Sequence, residues 1–173
     1  MEKSSIKKEL GKLLVNAAIK KIDIWANNQL KSIRNSRQTT IIVPLNKRSW
    51  IIGPYTLLKV KDNCFQLTLD KKVMGIFYSR QASVFYAALS KSNNIKYITV
   101  ANDIKLLDES VGKLYDEMNF YSKKLKSSSQ KITEFKRHLW QSRYSETVLQ
   151  YKSARKELVK KLNHAKYIKV WDN

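Results

Sequence analysis

Basic and aromatic side chains interleaved along the chain are the residues with the clearest chemistry in this 173-residue sequence. Lysine and arginine neutralise phosphate groups, and tryptophan or tyrosine, such as Trp50 or Tyr55, stacks on exposed bases. A first basic patch lies at turns and strand edges of a predicted sheet: Lys47, Arg48, Trp50, Lys59, Lys61, Lys71, Lys72 and Arg80. A second basic patch repeats along the last predicted helix: Lys152, Arg155, Lys156, Lys160 and Lys161. Both patches are predicted to contact a polyanion, and the plainer alternative for each is a solvated face.

Carboxylates and histidines could also support chemistry, as ligands of a metal ion or as acid–base catalysts. Five carboxylates of one predicted helix fall between its apolar positions, near Lys105 and Lys113, and are interpreted as solvated or inter-helix salt-bridging groups. They are Asp103, Asp108, Glu109, Asp116 and Glu117. His138 and His164 lie 26 residues apart with no cysteine near either, and are interpreted as helix-surface residues. Since no glycine-rich phosphate loop or Cys-x-x-Cys motif occurs either, the sequence predicts no enzyme activity, no cofactor and no metal.

The charge balance points to the class of partner. Lysine and arginine number 34 against 14 aspartate and glutamate residues, which gives a net charge of +20. The excess is spread along the chain except over residues 102–126, which are neutral. Since 43% of the residues are hydrophobic and alternate with the charges, the pattern indicates a folded basic protein rather than a basic tail. The expected partner is a nucleic acid or another polyanion.

The single cysteine and the N-terminal residues bear on the compartment. Cys64 has no intramolecular disulfide partner and is interpreted as a small core side chain in a reducing compartment. The N-terminal residues are interrupted by charge every few positions, so neither secretion nor a membrane-spanning segment is predicted. These features favour the cytoplasm, without integral membrane association.

The hydrophobic periodicity divides the chain into three regions: residues 1–38, 39–101 and 102–173. Helical spacing of apolar residues over about 4–34 predicts a long amphipathic N-terminal helix, whose lysines would be solvated or could lie on an anionic lipid surface. Residues 39–101 follow with β-branched runs and turns that predict three to five short antiparallel strands. A helix capped by Ser79, with its apolar stripe at Ala82, Phe85, Ala88 and Leu89, is predicted to cover one face of this sheet.

The C-terminal region has a regular heptad pattern. Apolar residues at alternating spacings of three and four predict a coiled-coil seam: Ile104, Leu107, Val111, Leu114, Met118, Tyr121 and Leu125. The polar run 127–129 interrupts it, and a second helix is expected from about 130 to 168. The short connection favours an antiparallel helical hairpin, part of which must project beyond a small sheet or meet another chain. The predicted fold class is therefore α+β, with a long N-terminal helix, a small antiparallel sheet with one covering helix, and a C-terminal antiparallel helical hairpin.

Two resemblances accompany these patterns. In the range 55–89, Gly75-Ile76-Phe77 precede the helix start at Ser79, and the helix contains Ala82, Ala87 and Ala88. This order of three strands and a helix is similar to the DNA-binding modules of AP2 domains and phage integrase arm-binding domains, although their clustered arginine and tryptophan signature is missing. The resemblance implies a sheet in a DNA major groove with Lys59, Lys61, Gln66 and Lys72 toward the DNA. The whole plan, including WIIGPYTLLKV and GIFYSRQASVFYAAL, resembles small uncharacterised proteins of marine bacteriophages. This resemblance implies a viral origin, a location in the host-cell cytoplasm or the virion, and no particular activity.

Two functions compete at this point. The first is a non-enzymatic, phage-encoded protein that binds the phosphate backbone of nucleic acid with little sequence specificity. The alternative is a self-assembling viral structural, scaffold or adaptor protein whose helical hairpin makes the contacts between subunits. The seam from Ile104 to Leu125 separates them, because a seam that the last helix of the same chain does not fill needs another subunit.

Overall fold

The computed structural model describes residues 42–127 and 133–166, together with six single positions upstream: Ala17, Lys20, Lys21, Ile24, Trp25 and Asn28. These six positions are helical and exposed, and the rest of the predicted N-terminal helix lies outside the described residues. The described part of the chain is a mixed α+β structure, as predicted. It contains one five-stranded antiparallel sheet and three helices.

The sheet is a simple meander in which each strand pairs with the next one along the chain. Its strands are β1 (Ile42–Asn46), β2 (Ser49–Ile52), β3 (Tyr55–Lys61), β4 (Cys64–Leu69) and β5 (Lys72–Phe77). The structure confirms the predicted short antiparallel strands, and the part of the first predicted run before Ile42 lies outside the described residues. The tight connections require left-handed backbone, which Gly53 adopts after β2 with φ of 57°. Asp70 and Lys71 adopt it together between β4 and β5, the pattern of a two-residue hairpin turn.

Helix α1 (Arg80–Leu89) covers one face of the sheet. The Ser79 side chain accepts a hydrogen bond from the backbone N–H of Ala82, which confirms the predicted N-cap. The predicted apolar stripe of α1 is buried, and it packs on the strand residues that alternate onto the same face. The buried strand residues include Ile52, Leu57, Leu67 and Phe77.

Two long helices form the C-terminal hairpin. Helix α2 (Ile95–Ser127) starts earlier than the predicted seam, because the Asn94 side chain accepts the backbone N–H of Lys96 and opens the helix there. Helix α3 (Glu134–Ala165) runs antiparallel to it, and each helix is about 50 Å long at 1.5 Å per residue. The antiparallel order follows from the cross-contacts Asp103 to Lys161 and Tyr115 to Tyr151.

The heptad seam packs within the chain. Ile104, Val111 and Met118 are buried in one cluster with Leu158 and Leu162 of α3. The other seam residues, Leu107, Leu114, Tyr121 and Leu125, are half-buried. No described residue between 119 and 146 is buried, so the outer part of the hairpin extends beyond the core as the sequence predicted.

Leu162→Ala should lower the free energy of unfolding by about 2 to 5 kcal/mol, because truncation leaves a cavity in the core. Leu162 is 0% exposed, whereas Leu149 on the same helix is 67% exposed and serves as the matched control. Leu149→Ala should change the free energy of unfolding by less than about 0.5 kcal/mol. Urea denaturation followed by circular dichroism measures both variants, and equal losses would contradict the placement of α3.

Candidate nucleic-acid interface

The first predicted basic patch is divided between the two ends of the sheet. Lys47 and Arg48 occupy the β1–β2 turn, and a bond of 2.7 Å from the Lys59 backbone N–H to the Arg48 carbonyl joins this turn to β3. Lys61 and Arg80 lie at the same end, beside the start of β4 and after the end of β5. We call these five residues the basic end: Lys47, Arg48, Lys59, Lys61 and Arg80.

Lys71 and Lys72 lie at the opposite end of the sheet, in the β4–β5 turn and at the start of β5. The six residues of β4 separate them from the basic end by about 20 Å at about 3.4 Å per residue. The residues implied to face DNA do not share one face either, since Lys59 pairs with Phe65 and Gln66 is the next residue along β4. Successive strand residues alternate between faces, so Lys59 and Gln66 lie on opposite faces.

The two aromatic residues predicted to stack on bases, Trp50 and Tyr55, are partly or fully withdrawn from solvent. Tyr55 is buried, and its hydroxyl lies 3.1 Å from the Ser90 Oγ, so the interpretation of Tyr55 as a base-stacking residue is wrong. Trp50 is half-buried, and the Arg80 guanidinium carbon lies 4.7 Å from its ring centroid. This cation–π contact holds Arg80 against the sheet.

The second predicted patch is not a single stripe. Successive residues of an α-helix are about 100° apart, so Arg155 and Lys160 point about 140° away from one another around α3. Arg155 is half-buried on the side of Asp108, whereas Lys156 and Lys160 are exposed. Lys161 bonds to Asp103 of α2 at 2.7 Å, which confirms an inter-helix salt bridge for that carboxylate. Lys152, the remaining member, is half-buried.

A cavity of about 300 Å³ lies where the basic end meets the hairpin. The sheet and the start of α1 contribute Asn63, Phe65, Tyr78, Ser79, Arg80 and Gln81 to its lining. The hairpin contributes Val111, Gly112, Tyr115, Tyr151 and Arg155. The cavity thus brings together one arginine from each predicted patch, and none of the described residues that line it is a carboxylate.

Asp108 supports this cavity from within the core. It is 0% exposed, so the interpretation of Asp108 as a solvated residue is wrong. Its Oδ2 accepts the backbone N–H of Tyr78 at 2.6 Å, which fixes the chain between β5 and α1 against α2. Burial raises the pKa of Asp108 to about 7, although the hydrogen bonds from Tyr78 and Ser79 and the charge of Arg155 oppose the shift.

Gly112 lets the cavity wall close. A Cβ at this position would lie 2.1 Å from the Tyr78 ring, so the ring rests directly on the backbone of α2. Burial, followed by the charge of Asp116, raises the pKa of the Tyr78 phenol. The phenol therefore stays protonated at neutral pH and can donate a hydrogen bond.

The remaining interpretations concern residues away from the cavity. Cys64 is buried, as predicted, and His138 and His164 lie on exposed helix surface. Among the described residues, no group of three or more His, Cys, Asp or Glu side chains could hold a metal ion. None of the described helices combines the length and the apolar composition needed to cross a bilayer.

Comparisons with protein-family models, with curated proteins and with solved structures gave no match. Function is therefore inferred from the chemistry of the interface itself.

Sequence reasoning did not find the aromatic lining of the cavity. Tyr78, Tyr115 and Tyr151 come from three separate segments that only tertiary packing joins. One local signal was present, because Gly112 interrupts a helical pattern and an isolated glycine there usually has a packing reason. The position of Gly112 in the sequence nevertheless gave no indication that the Tyr78 ring would pack on it.

Gly112→Ala should lower the free energy of unfolding by about 1 to 3 kcal/mol, because the new methyl group overlaps the Tyr78 ring. The loss should exceed the gain of about 1 kcal/mol that alanine brings to a helix interior. Ser110→Ala, at an exposed position of the same helix, is the control and should be neutral or stabilising. Thermal melts measure the stability of both variants. A Gly112→Ala protein more stable than the wild type would show that the Tyr78 ring does not lie on α2.

Asp108→Asn should remove a pH-dependent part of the stability. The pKa of Asp108 rises from 3.8 to about 7 on folding, so between these values the folded protein binds more protons than the unfolded chain. This stabilising contribution is fully present below pH 3.8 and is lost as the pH rises through 7. The stability of the wild type relative to Asp108→Asn should therefore fall with rising pH across that range, measured by urea denaturation.

Asp116→Asn, at an exposed position of the same helix, is the control for this pH series. It should leave the pH dependence of the wild type in place. Parallel pH profiles for the wild type and Asp108→Asn would contradict the burial of an ionisable Asp108 carboxyl group.

Proposed function

We propose that this protein binds nucleic acid without catalysing a reaction, mainly through the phosphate backbone and with little sequence specificity. The basic end and the cavity form the binding surface. The observation that carries the proposal is the convergence of Arg80 and Arg155, from separate regions of the chain, on one cavity. Among the described residues that line it there is no carboxylate. The net charge of +20 supports a polyanionic partner.

The chemistry of the basic end favours phosphate contacts over base recognition. Lys47, Arg48 and Lys61 are exposed on turns or at a strand end, where their charges reach a backbone from several directions. Lys59 is the exception, because its Nζ lies 2.7 Å from Asp62 Oδ1. Asp62 is itself exposed, so this pair is screened by solvent and does not cancel the basic character of the surface.

The predicted seam no longer supports the alternative of self-assembly. Ile104, Val111 and Met118 of the seam pack inside the chain, so the seam itself needs no second subunit. A self-assembling protein would have to use another surface, such as the sheet face opposite α1. Exposed apolar side chains on that face are Val43, Leu58, Val73 and Ile76.

Two double variants that remove the same charge test the binding surface. Arg48→Gln with Lys61→Gln neutralises the basic end, and Lys71→Gln with Lys72→Gln neutralises the opposite end of the sheet. The first pair should weaken binding to a labelled duplex and reduce the slope of log affinity against log salt by about 0.9 for each lost contact. The second pair should have a much smaller effect, although it changes the net charge equally.

Fluorescence anisotropy in a series of salt concentrations measures both the affinity and the slope. Equal losses in the two double variants would show that only total charge matters and would contradict the assignment of the surface. Gel filtration with and without nuclease tests the alternative. A large particle that resists nuclease would favour assembly over nucleic-acid binding.

A further inference from the structure

The cavity differs chemically from the exposed lysines around it. Its lining combines two guanidinium groups with several aromatic rings and with the amide side chains of Asn63 and Gln81. A phosphate backbone alone would need only the charges. Guanidinium groups, aromatic faces and amide hydrogen-bonding groups in one concave site are what a nucleotide requires, because it has a phosphate, a flat base and polar base edges.

We propose that the cavity binds a single unpaired nucleotide, so that the protein prefers single-stranded nucleic acid to a duplex. This inference rests on the proposed function, since it identifies which form of nucleic acid the same surface accepts. The volume of about 300 Å³ is at the lower end of the range for ligand pockets, which suits one nucleotide rather than several. Bases in a duplex are stacked and paired, so a duplex can offer one to a cavity only by unstacking and unpairing it.

The tyrosines supply the stacking surface. The Tyr115 and Tyr151 ring centroids are 6.1 Å apart with the rings inclined at 43°, so the two rings do not cover one another face to face. Tyr151 is buried, whereas Tyr115 is 37% exposed and stands where an entering base would meet it. Tyr115 is therefore the residue whose ring a base can contact without rearrangement of the core.

The arginines supply the charge at fixed positions. Arg80 is held over Trp50, and Arg155 approaches the cavity from α3 beside the buried Asp108. The Arg80 guanidinium is thus restrained by packing before any ligand arrives, which reduces the entropy lost on binding. A phosphate between the two guanidinium groups would make charge-assisted hydrogen bonds in a partly dry site.

Tyr115→Leu tests the proposal, because leucine keeps apolar bulk at the position and removes the aromatic face. The probes are a fluorescein-labelled oligothymidylate of about 12 nucleotides and a labelled duplex of the same length. The wild type should bind the single strand more tightly than the duplex. Tyr115→Leu should weaken single-strand binding by roughly tenfold or more and leave duplex binding unchanged, since stacking on one aromatic ring is worth that much.

Phe120→Leu and Arg143→Gln are the matched controls, because Phe120 is on α2 and Arg143 on α3, and neither lines the cavity. Arg80→Gln is a second test variant. Because Arg80 also belongs to the basic end, its affinity loss relative to Arg143→Gln should be larger for the single strand than for the duplex. Circular dichroism melts verify that each variant is folded. If Tyr115→Leu is not folded, the affinities of Arg80→Gln and Arg143→Gln for the two probes test the cavity site instead.

The outcomes separate the two proposals. Tighter binding of the single strand that Tyr115→Leu abolishes supports the cavity as a nucleotide site. Equal, salt-sensitive binding of both probes, which Tyr115→Leu leaves unchanged and Arg80→Gln weakens to the same extent for both, overturns the cavity site and leaves the proposed function intact. Absence of salt-sensitive binding to either probe overturns the proposed function itself.

Discussion

The buried carboxylate of Asp108 is the interaction on which the rest of this structure depends. It joins the end of the sheet to the hairpin, because its Oδ2 accepts a hydrogen bond from the Tyr78 backbone N–H. The positive charge of Arg155, on α3, favours the ionised form of the same carboxyl group. Burying a carboxylate is costly unless hydrogen bonds and an opposite charge compensate, and removing one member of such a group leaves the others unsatisfied. Three elements are therefore held in one arrangement around Asp108.

That arrangement explains how a strongly basic chain can bring two arginines to one cavity. Like charges repel, but Arg80 is stabilised by the ring of Trp50 and Arg155 by the carboxylate of Asp108. Each guanidinium group thus has an interaction partner within the protein. Close contact between Gly112 and Tyr78 shapes the wall that the two charges share. The cavity is consequently a product of core packing, whereas the lysines at the turns are surface features that the core does not constrain.

Local patterns accounted for most of the fold. Alternation and turn residues placed β2 to β5, because side chains in a strand must alternate and tight turns need polar or left-handed residues at defined positions. Ser79 and the stripe of α1 were recognisable because capping and helical spacing are properties of a few neighbouring residues. Local patterns did not predict the burial of Asp108. A carboxylate between apolar heptad positions has the pattern of a solvated residue, and its burial depends on the packing of α2 against the chain around Tyr78. The prediction of one basic stripe from Arg155 to Lys160 was wrong for a related reason. Residues that are close in sequence along a helix do not necessarily share a face.

The sequence by itself determined the fold class, the described strands and helices and the net charge, because these depend on composition and short-range periodicity. From the same charge it predicted a polyanionic partner. The tertiary structure decided which basic residues stand together. It separated Lys71 and Lys72 from the basic end, since successive turns of a meander alternate between the two ends of the sheet. It also joined Arg80, Tyr115 and Arg155, which are far apart in sequence and meet only because the hairpin packs against the start of α1. Contacts between residues so far apart in sequence produce no periodic pattern in the chain, so the packed structure was needed to find them.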